Sequence, residues 1–162
     1  MKNLSITVGI PTCYGGVSLI ATVKSIRAST VPIDHIIIMS DRTPITPSIR
    51  QELEHMGAQI YWNEVEGSQP KKLKQILDDL NCSTVVIIGL TTDHCISTTT
   101  RVAGNYGYNT YLVSDATATF NKVRQNGEIF NSELMHNTSL ASLKDEFATI
   151  LSSIELFEML KL

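Results

Sequence analysis

Short apolar runs alternate with segments whose apolar residues recur every three or four positions. Ser5–Ile10, His35–Ser40, Ala58–Trp62, Thr84–Gly89 and Thr110–Ser114 are compact β-rich runs and predict five strands. Between them lie helical patterns. Leu19, Ile20, Val23 and Ile26 share one face after Gly15-Gly16; Ile49, Leu53 and Met56 share another; Leu73, Ile76, Leu77 and Leu80 line a third. Thr46-Pro47 predicts a helix start with Thr46 as N-cap and proline in the first turn, and Gly57 predicts its end. Ser68 is the expected cap of the third helix. A fourth begins near Asp93–Cys95 and stops at Gly107. Strand–helix alternation predicts parallel βαβ units with right-handed crossovers. The expected fold is therefore α/β: one three-layer, Rossmann-like, doubly wound domain over residues 1–162, with parallel sheet order 3-2-1-4-5-6. After Phe120 the pattern splits. Asn131–Leu162 fits one long helix, or a helix, a short strand at Phe147–Leu151 and a helix capped by Ser153.

Doubly wound sheets bind ligands beyond the carboxyl ends of the strands, where the strand order reverses. In the expected order that point lies between strands one and four. Two loops should meet there, Pro11–Gly16 and Leu90–Cys95.

Composition narrows the classes of function. The chain has 162 residues, 43% of them apolar and 18% charged, with formal net charge −3 and no long basic run. Nucleic acid is therefore not an expected partner. No apolar run approaches the roughly 20 residues of a membrane helix, so no membrane partner is expected either. The opening MKNLSITVGIP lacks a leader-like apolar stretch. Cys13, Cys82 and Cys95 are widely spaced, with no CxxC, which points to a reducing, cytoplasmic setting. His35, His55 and His136 show no metal-ligand spacing, and neither a metal nor another cofactor is expected.

Cys95 is the sharpest chemical candidate. It follows a strand within GLTTDHC and opens a helix, whose free N–H groups and partial positive charge favour a thiolate. The same N–H groups suit a developing oxyanion. By position alone, a buried and inert cysteine is an equal reading. His94 adjoins Cys95, although neighbours on a turn tend to point apart. Asp115, at the end of strand five, reads as a structural hydrogen-bond partner of backbone.

The run TVVIIGLTTDHCISTTTRVAGNYGYNTYLVSDATATF, followed by SELMHNTSLASLKDEFATIL, resembles the isochorismatase-like cysteine hydrolases. That resemblance implies a nucleophilic Cys95, a cis peptide at Leu90–Thr91, backbone donors in the Leu90–His94 turn, and helix–strand–helix at the C-terminal end. It also implies hydrolysis of small amides or vinyl ethers, and self-association through the helix region holding Val102, Tyr106 and Tyr108, so a homodimer is expected. Amide hydrolases of this kind add an aspartate after strand one and a lysine after strand three. Here Ile10–Tyr14 carries no aspartate, and the lysine position falls near Trp62 or Asn63. Lys71 and Lys72 lie on the next helix.

The first half, with ITVGIPTCYGG and IIIMSDRTP, resembles the start of a family-two, GT-A type glycosyltransferase. That resemblance implies nucleotide-sugar contacts from Thr12, Tyr14 and Asp41. The two patterns meet near Asp79–Val85, so the chain reads as a hybrid of halves 1–80 and 81–162, an engineered origin included. Three functions stay open: a hybrid that keeps the Cys95 loop without efficient catalysis, a small-molecule amide or ester hydrolase using Cys95 with a substitute base such as Asp41, and a nucleotide-sugar binding module using Pro11–Gly16 and Asp41.

Overall fold

A computed structural model describes residues 6–12, 17–30, 33–41, 45–63 and 69–160. In chain order the elements are β1 (Thr7–Thr12), α1 (Val17–Arg27), β2 (His35–Asp41), α2 (Pro47–His55), β3 (Ala58–Asn63), α3 (Gln69–Asp79) and β4 (Thr84–Leu90). A one-turn π-helix (Thr92–Ile96) then leads into α4 (Ser97–Asn105) and β5 (Asn109–Ala118). A small hairpin, β6 (Lys122–Val123) and β7 (Ile129–Phe130), precedes α5 (Ser132–Leu143), β8 (Thr149–Leu151) and α6 (Ser153–Leu160). The chain divides into two units, Met1–Lys71 and Lys72–Leu162.

In the first unit β1, β2 and β3 form a parallel sheet in that spatial order. Ile36, Ile37 and Ile38 are all buried, as a central strand covered on both faces requires. Leu19 and Val23 of α1, Leu53 of α2 and Ala58 of β3 pack on Ile36 and Ile38. Arg27 ties the end of α1 to two loops: Nε donates to the Met56 carbonyl at 3.0 Å, Nη1 to Ile33 at 2.8 Å and Nη2 to Gly57 at 3.2 Å. Thr46 and Pro47 take their expected places, but the Thr46 hydroxyl caps no backbone N–H and lies 3.4 Å from the Ser48 hydroxyl instead. Ser68 and Gly15-Gly16 lie outside the described residues.

In the second unit the parallel order is β4-β5-β8. The expected order 3-2-1-4-5-6 thus occurs as two runs, with β8 as the sixth core strand. The step from β1 to β4 is not among the pairings of the described residues. Among the pairings of the described residues β4 has β5 as its partner, and β5 lies between β4 and β8, with Leu112 and Val113 buried. Ile87, Ile96, Ala103, Leu112, Leu143 and Ala148 make this unit's core.

The C-terminal segment is helix–strand–helix, as the family resemblance implied. Its last cap is one residue earlier than expected. Ser152, not Ser153, is the N-cap: its backbone N–H and hydroxyl donate to Glu155 Oε2 at 2.7 and 2.8 Å, and Glu155 N–H returns to the Ser152 hydroxyl at 3.3 Å. This reciprocal box needs the acidic residue three positions on, which selects Ser152. No helix among the described residues is long and apolar enough to cross a membrane.

Candidate active site

The site begins where β4 stops. Gly89 has φ of +119°, a conformation L side chains rarely adopt, and the next peptide but one, Leu90–Thr91, is cis as the resemblance implied. The following helix does not start as a plain α-helix. Thr92–Ile96 is a π turn in which Ile96 N–H reaches back to the Thr91 carbonyl at 3.2 Å and His94 N–H donates to the same carbonyl at 3.1 Å. Such turns are rare and recur at functional sites. Thr92 and Ile96 are buried while Cys95 is exposed, so the apolar side of the turn anchors it and the thiol faces outward. The Thr92 hydroxyl pairs with His136 Nδ1 on α5 at 2.9 Å.

The neighbouring strand is reshaped to meet this turn. Ile87 pairs with Leu112, but the next matched pair is Gly89 with Thr117. Residues 113–116 of β5 therefore bulge out against Ile88 alone, and bulges of this kind re-aim side chains beside sites. Inside the bulge the Thr117 hydroxyl donates to the Ser114 carbonyl at 3.2 Å, and the Ser114 hydroxyl to the Leu151 carbonyl at 3.1 Å. Asp115 accepts from the Ser153 backbone N–H at 2.8 Å and from its hydroxyl at 2.6 Å. It therefore holds the first turn of α6, and these bonds hold its carboxyl below the usual range. That is the structural role expected of it.

Beyond the bulge, Thr119 and Lys122 come back to the turn. The Asp93 carboxylate, only 8% exposed, accepts from the Thr119 hydroxyl and lies 3.1 Å from Lys122 Nζ and 3.6 Å from His94 Nε2. Burial pushes this carboxyl up. The Thr119 hydroxyl, Lys122, its own backbone N–H and His94 together outweigh burial and hold it down at about 2. Lys122 Nζ is also 3.1 Å from His94 Nε2. The buried anion thus pins the Cys95 turn to the segment after β5.

Of the residues singled out from sequence, Leu90, Thr91, His94 and Cys95 fall together on this turn. Among the described residues no side chain makes a hydrogen bond to the Cys95 thiol. Thr12 and Asp41 end β1 and β2 in the first unit, opposite Ser40 and Asn63, and their side chains lie outside the description. Tyr14 and Cys13 lie outside the described residues altogether. Trp62 and Asn63 end β3. Tyr108, expected at a self-association surface, donates its hydroxyl to Asp78 at 2.7 Å and packs on the second core. Tyr106 is exposed beneath the Lys74 ammonium.

Thr119, Lys122 and His136 were not anticipated. A signal for the hairpin that carries Lys122 was present in Asn126-Gly127, a strong turn dipeptide. Gly127 takes φ of +84°, Gly127 N–H donates to the Arg124 carbonyl at 2.9 Å and Arg124 N–H to the Glu128 carbonyl at 2.8 Å. A separate open cleft of about 340 Å³ lies where β5 and β8 begin, lined by Tyr108, Tyr111, Asp145 and Phe147 among others. Cys95 sits past the far end of β4, so this cleft has no part in its chemistry. Among the described residues no group of three His, Cys, Asp or Glu side chains could hold a metal ion.

The isochorismatase domain model matches residues 67–155, more than half of the chain. The chain belongs to the isochorismatase family. It is 54% identical over 84 residues, 52% of its own length, to the uncharacterized isochorismatase family protein YrdC of Bacillus subtilis. Those residues are 45% of that relative, so the chain spans about half the length of the curated relative it matches. An isochorismatase-family protein from Chromobacterium violaceum has a solved structure that superposes with a TM-score of 0.69 at 19% identity, covering 99% of this chain and 96% of that one. The cysteine hydrolase from Pseudomonas syringae pv. phaseolicola gives 0.63 at 15% identity, covering 97% and 92%. At such identities the likeness is one of fold. It runs through the first half as well, so the glycosyltransferase-like pattern there is not needed to explain its strands and helices.

Proposed function

We propose that this chain is a hydrolase of small amides or esters with Cys95 as nucleophile. The observation that carries the reading is the exposed thiol on a π turn that the buried Asp93 braces against Lys122. The Cys95 thiolate attacks the substrate carbonyl carbon. The carbon–nitrogen or carbon–oxygen bond breaks, the leaving group departs with a proton, and an acyl-thioester remains on Sγ. Water then attacks the thioester, which releases the acid and returns the thiol. Backbone N–H groups of the turn are the candidate donors to the tetrahedral oxyanion.

The sequence lacks an aspartate in Ile10–Tyr14 and a lysine at Trp62–Asn63. A positioned general base is worth about 10²–10⁴-fold, so turnover should be slow for this kind of enzyme unless another carboxylate serves. The test is a panel of small amides and esters run against the protein and Cys95→Ala. Turnover removed by the substitution supports the reading. Turnover that survives it assigns the chemistry elsewhere, and no turnover on any substrate with an alkylatable Cys95 supports the reading of a retained but idle nucleophile loop.

A further inference from the structure

Lys122 Nζ stands 3.1 Å from Asp93 Oδ2 and 3.1 Å from His94 Nε2. An ammonium group has donors and no acceptor. Nε2 of His94 must therefore accept, which places the imidazole proton on Nδ1. A proton on Nε2 would set two donors against each other at that distance.

The geometry points to Lys122 as a positioning residue that keeps the imidazole proton of His94 on Nδ1, next to the nucleophile. Three groups make the arrangement. Asp93 supplies the buried anion that keeps the ammonium in place, Thr119 holds Asp93 from its other oxygen, and the β6–β7 hairpin carries the lysine. His94 itself is 67% exposed and reachable by a small molecule. Among the described residues Asp93 and Lys122 are the charged groups that contact His94. The other titratable group at this turn, His136, faces it through the Thr92 hydroxyl.

Two consequences follow for the chemistry. With its Nε2 lone pair occupied by Lys122, His94 does not take the thiol proton through that atom. The remaining ring nitrogen, Nδ1, is then the N–H donor of His94. The functional part of this inference rests on the reading of Cys95 as nucleophile; the tautomer does not.

The test is long-range ¹H–¹⁵N correlation of the imidazole rings in the full chain, with His94 assigned by its loss in His94→Gln. The expected pattern is the Nδ1–H tautomer in the unmodified protein. Lys122→Met should convert it to a form protonated on Nε2, facing Asp93 Oδ2, whereas Lys122→Arg, which also only donates, should keep Nδ1–H. An Nε2–H tautomer in the unmodified protein overturns the proposal without reference to any variant's folding, as does a Lys122→Met spectrum identical to it. On a substrate that Cys95 turns over, Lys122→Met should lower kcat about tenfold with KM little changed, the scale of one charge-assisted hydrogen bond, and Lys122→Arg should restore it. Unchanged kcat would sever the tautomer from the chemistry. If Cys95→Ala leaves turnover intact, the hydrolase reading falls, and the nitrogen spectra still decide the tautomer.

Discussion

The two units use the same alternation of strand and helix, yet they differ in regularity. In Met1–Lys71 the strands pair in unbroken parallel register, Thr7 with His35 through Thr12 with Ser40, and Ile36 with Ala58 through Asp41 with Asn63. In Lys72–Leu162 the irregular features crowd into one place: Gly89 at positive φ, the cis peptide, the π turn and the slipped register of β5. Regular strands need only an apolar pattern, whereas an outward thiol at the end of a strand needs the backbone to leave its regular path. The irregular unit is also the part of the chain that the isochorismatase domain model matches. Departure from regularity, more than the sheet itself, distinguishes the turn that carries Cys95.

The largest expected contrast is in how each unit tolerates a methyl group. At Gly104 a Cβ would meet the Phe147 carbonyl oxygen at 2.5 Å and its Cα at 2.9 Å, both backbone atoms. Gly104→Ala should therefore force α4 away from the turn before β8 and cost about 3 kcal/mol, the upper end of overpacking. At Gly57 the Cβ would meet the Arg27 guanidinium at 3.0 Å, a group that can swing aside, so the cost is mainly that of φ at +75°, about 1–2 kcal/mol. Urea denaturation of both variants checks the order. A Gly104→Ala protein as stable as the parent would show that the second unit is looser than its packing implies.

A smaller effect is expected at the buried anion. Thr119→Val keeps the shape and removes the donor to Asp93, leaving a nearly buried carboxylate one bond short, at about 1.5–3 kcal/mol. Asp93 has its folded value depressed to about 2 from 3.8. Its contribution is present above about pH 4 and lost as pH falls through about 2. The gap between Thr119→Val and the parent should therefore close across that acid window, measured by thermal melts at stepped pH. A gap that stays constant to pH 2 would mean that Asp93 is not the group Thr119 serves.

The fold was largely legible and the site only in part. All five core strands predicted from apolar runs exist, and so does the helix–strand–helix end. The runs 3-2-1 and 4-5-6 of the expected strand order follow from the alternation of strand and helix, and each is present within its own unit. The place of Cys95, exposed on the turn between β4 and α4, was legible because it follows a strand-like run and opens a helical pattern. Lys122 was not. It lies 29 residues beyond Asp93, and its approach depends on a bulge that no local pattern encodes.

The smallest effect tests a part of the second unit that is regular. The Tyr108 hydroxyl donates to Asp78 Oδ1 at 2.7 Å and lies 3.4 Å from the Lys74 carbonyl, stitching the start of β5 to α3. Burial, then the bond to Asp78 and that carboxylate's charge, push the phenol up to about 12 from 10.0. Tyr108→Phe should cost about 1 kcal/mol at neutral pH, an ordinary net value for one hydrogen bond. The sign at high pH is fixed by the direction of the shift. A raised folded value means that the unfolded tyrosine loses its proton first. The parent's stabilisation is therefore complete below about pH 10 and lost as pH rises through about 12. Phenylalanine has no proton to lose, so the difference between the two proteins should shrink over that window. The Thr119→Val gap should be flat there, because Asp93 titrates at the opposite end of the scale. Alkaline melts of both variants separate the two braces, and a Tyr108→Phe gap that does not narrow would show that the phenol is held by packing alone.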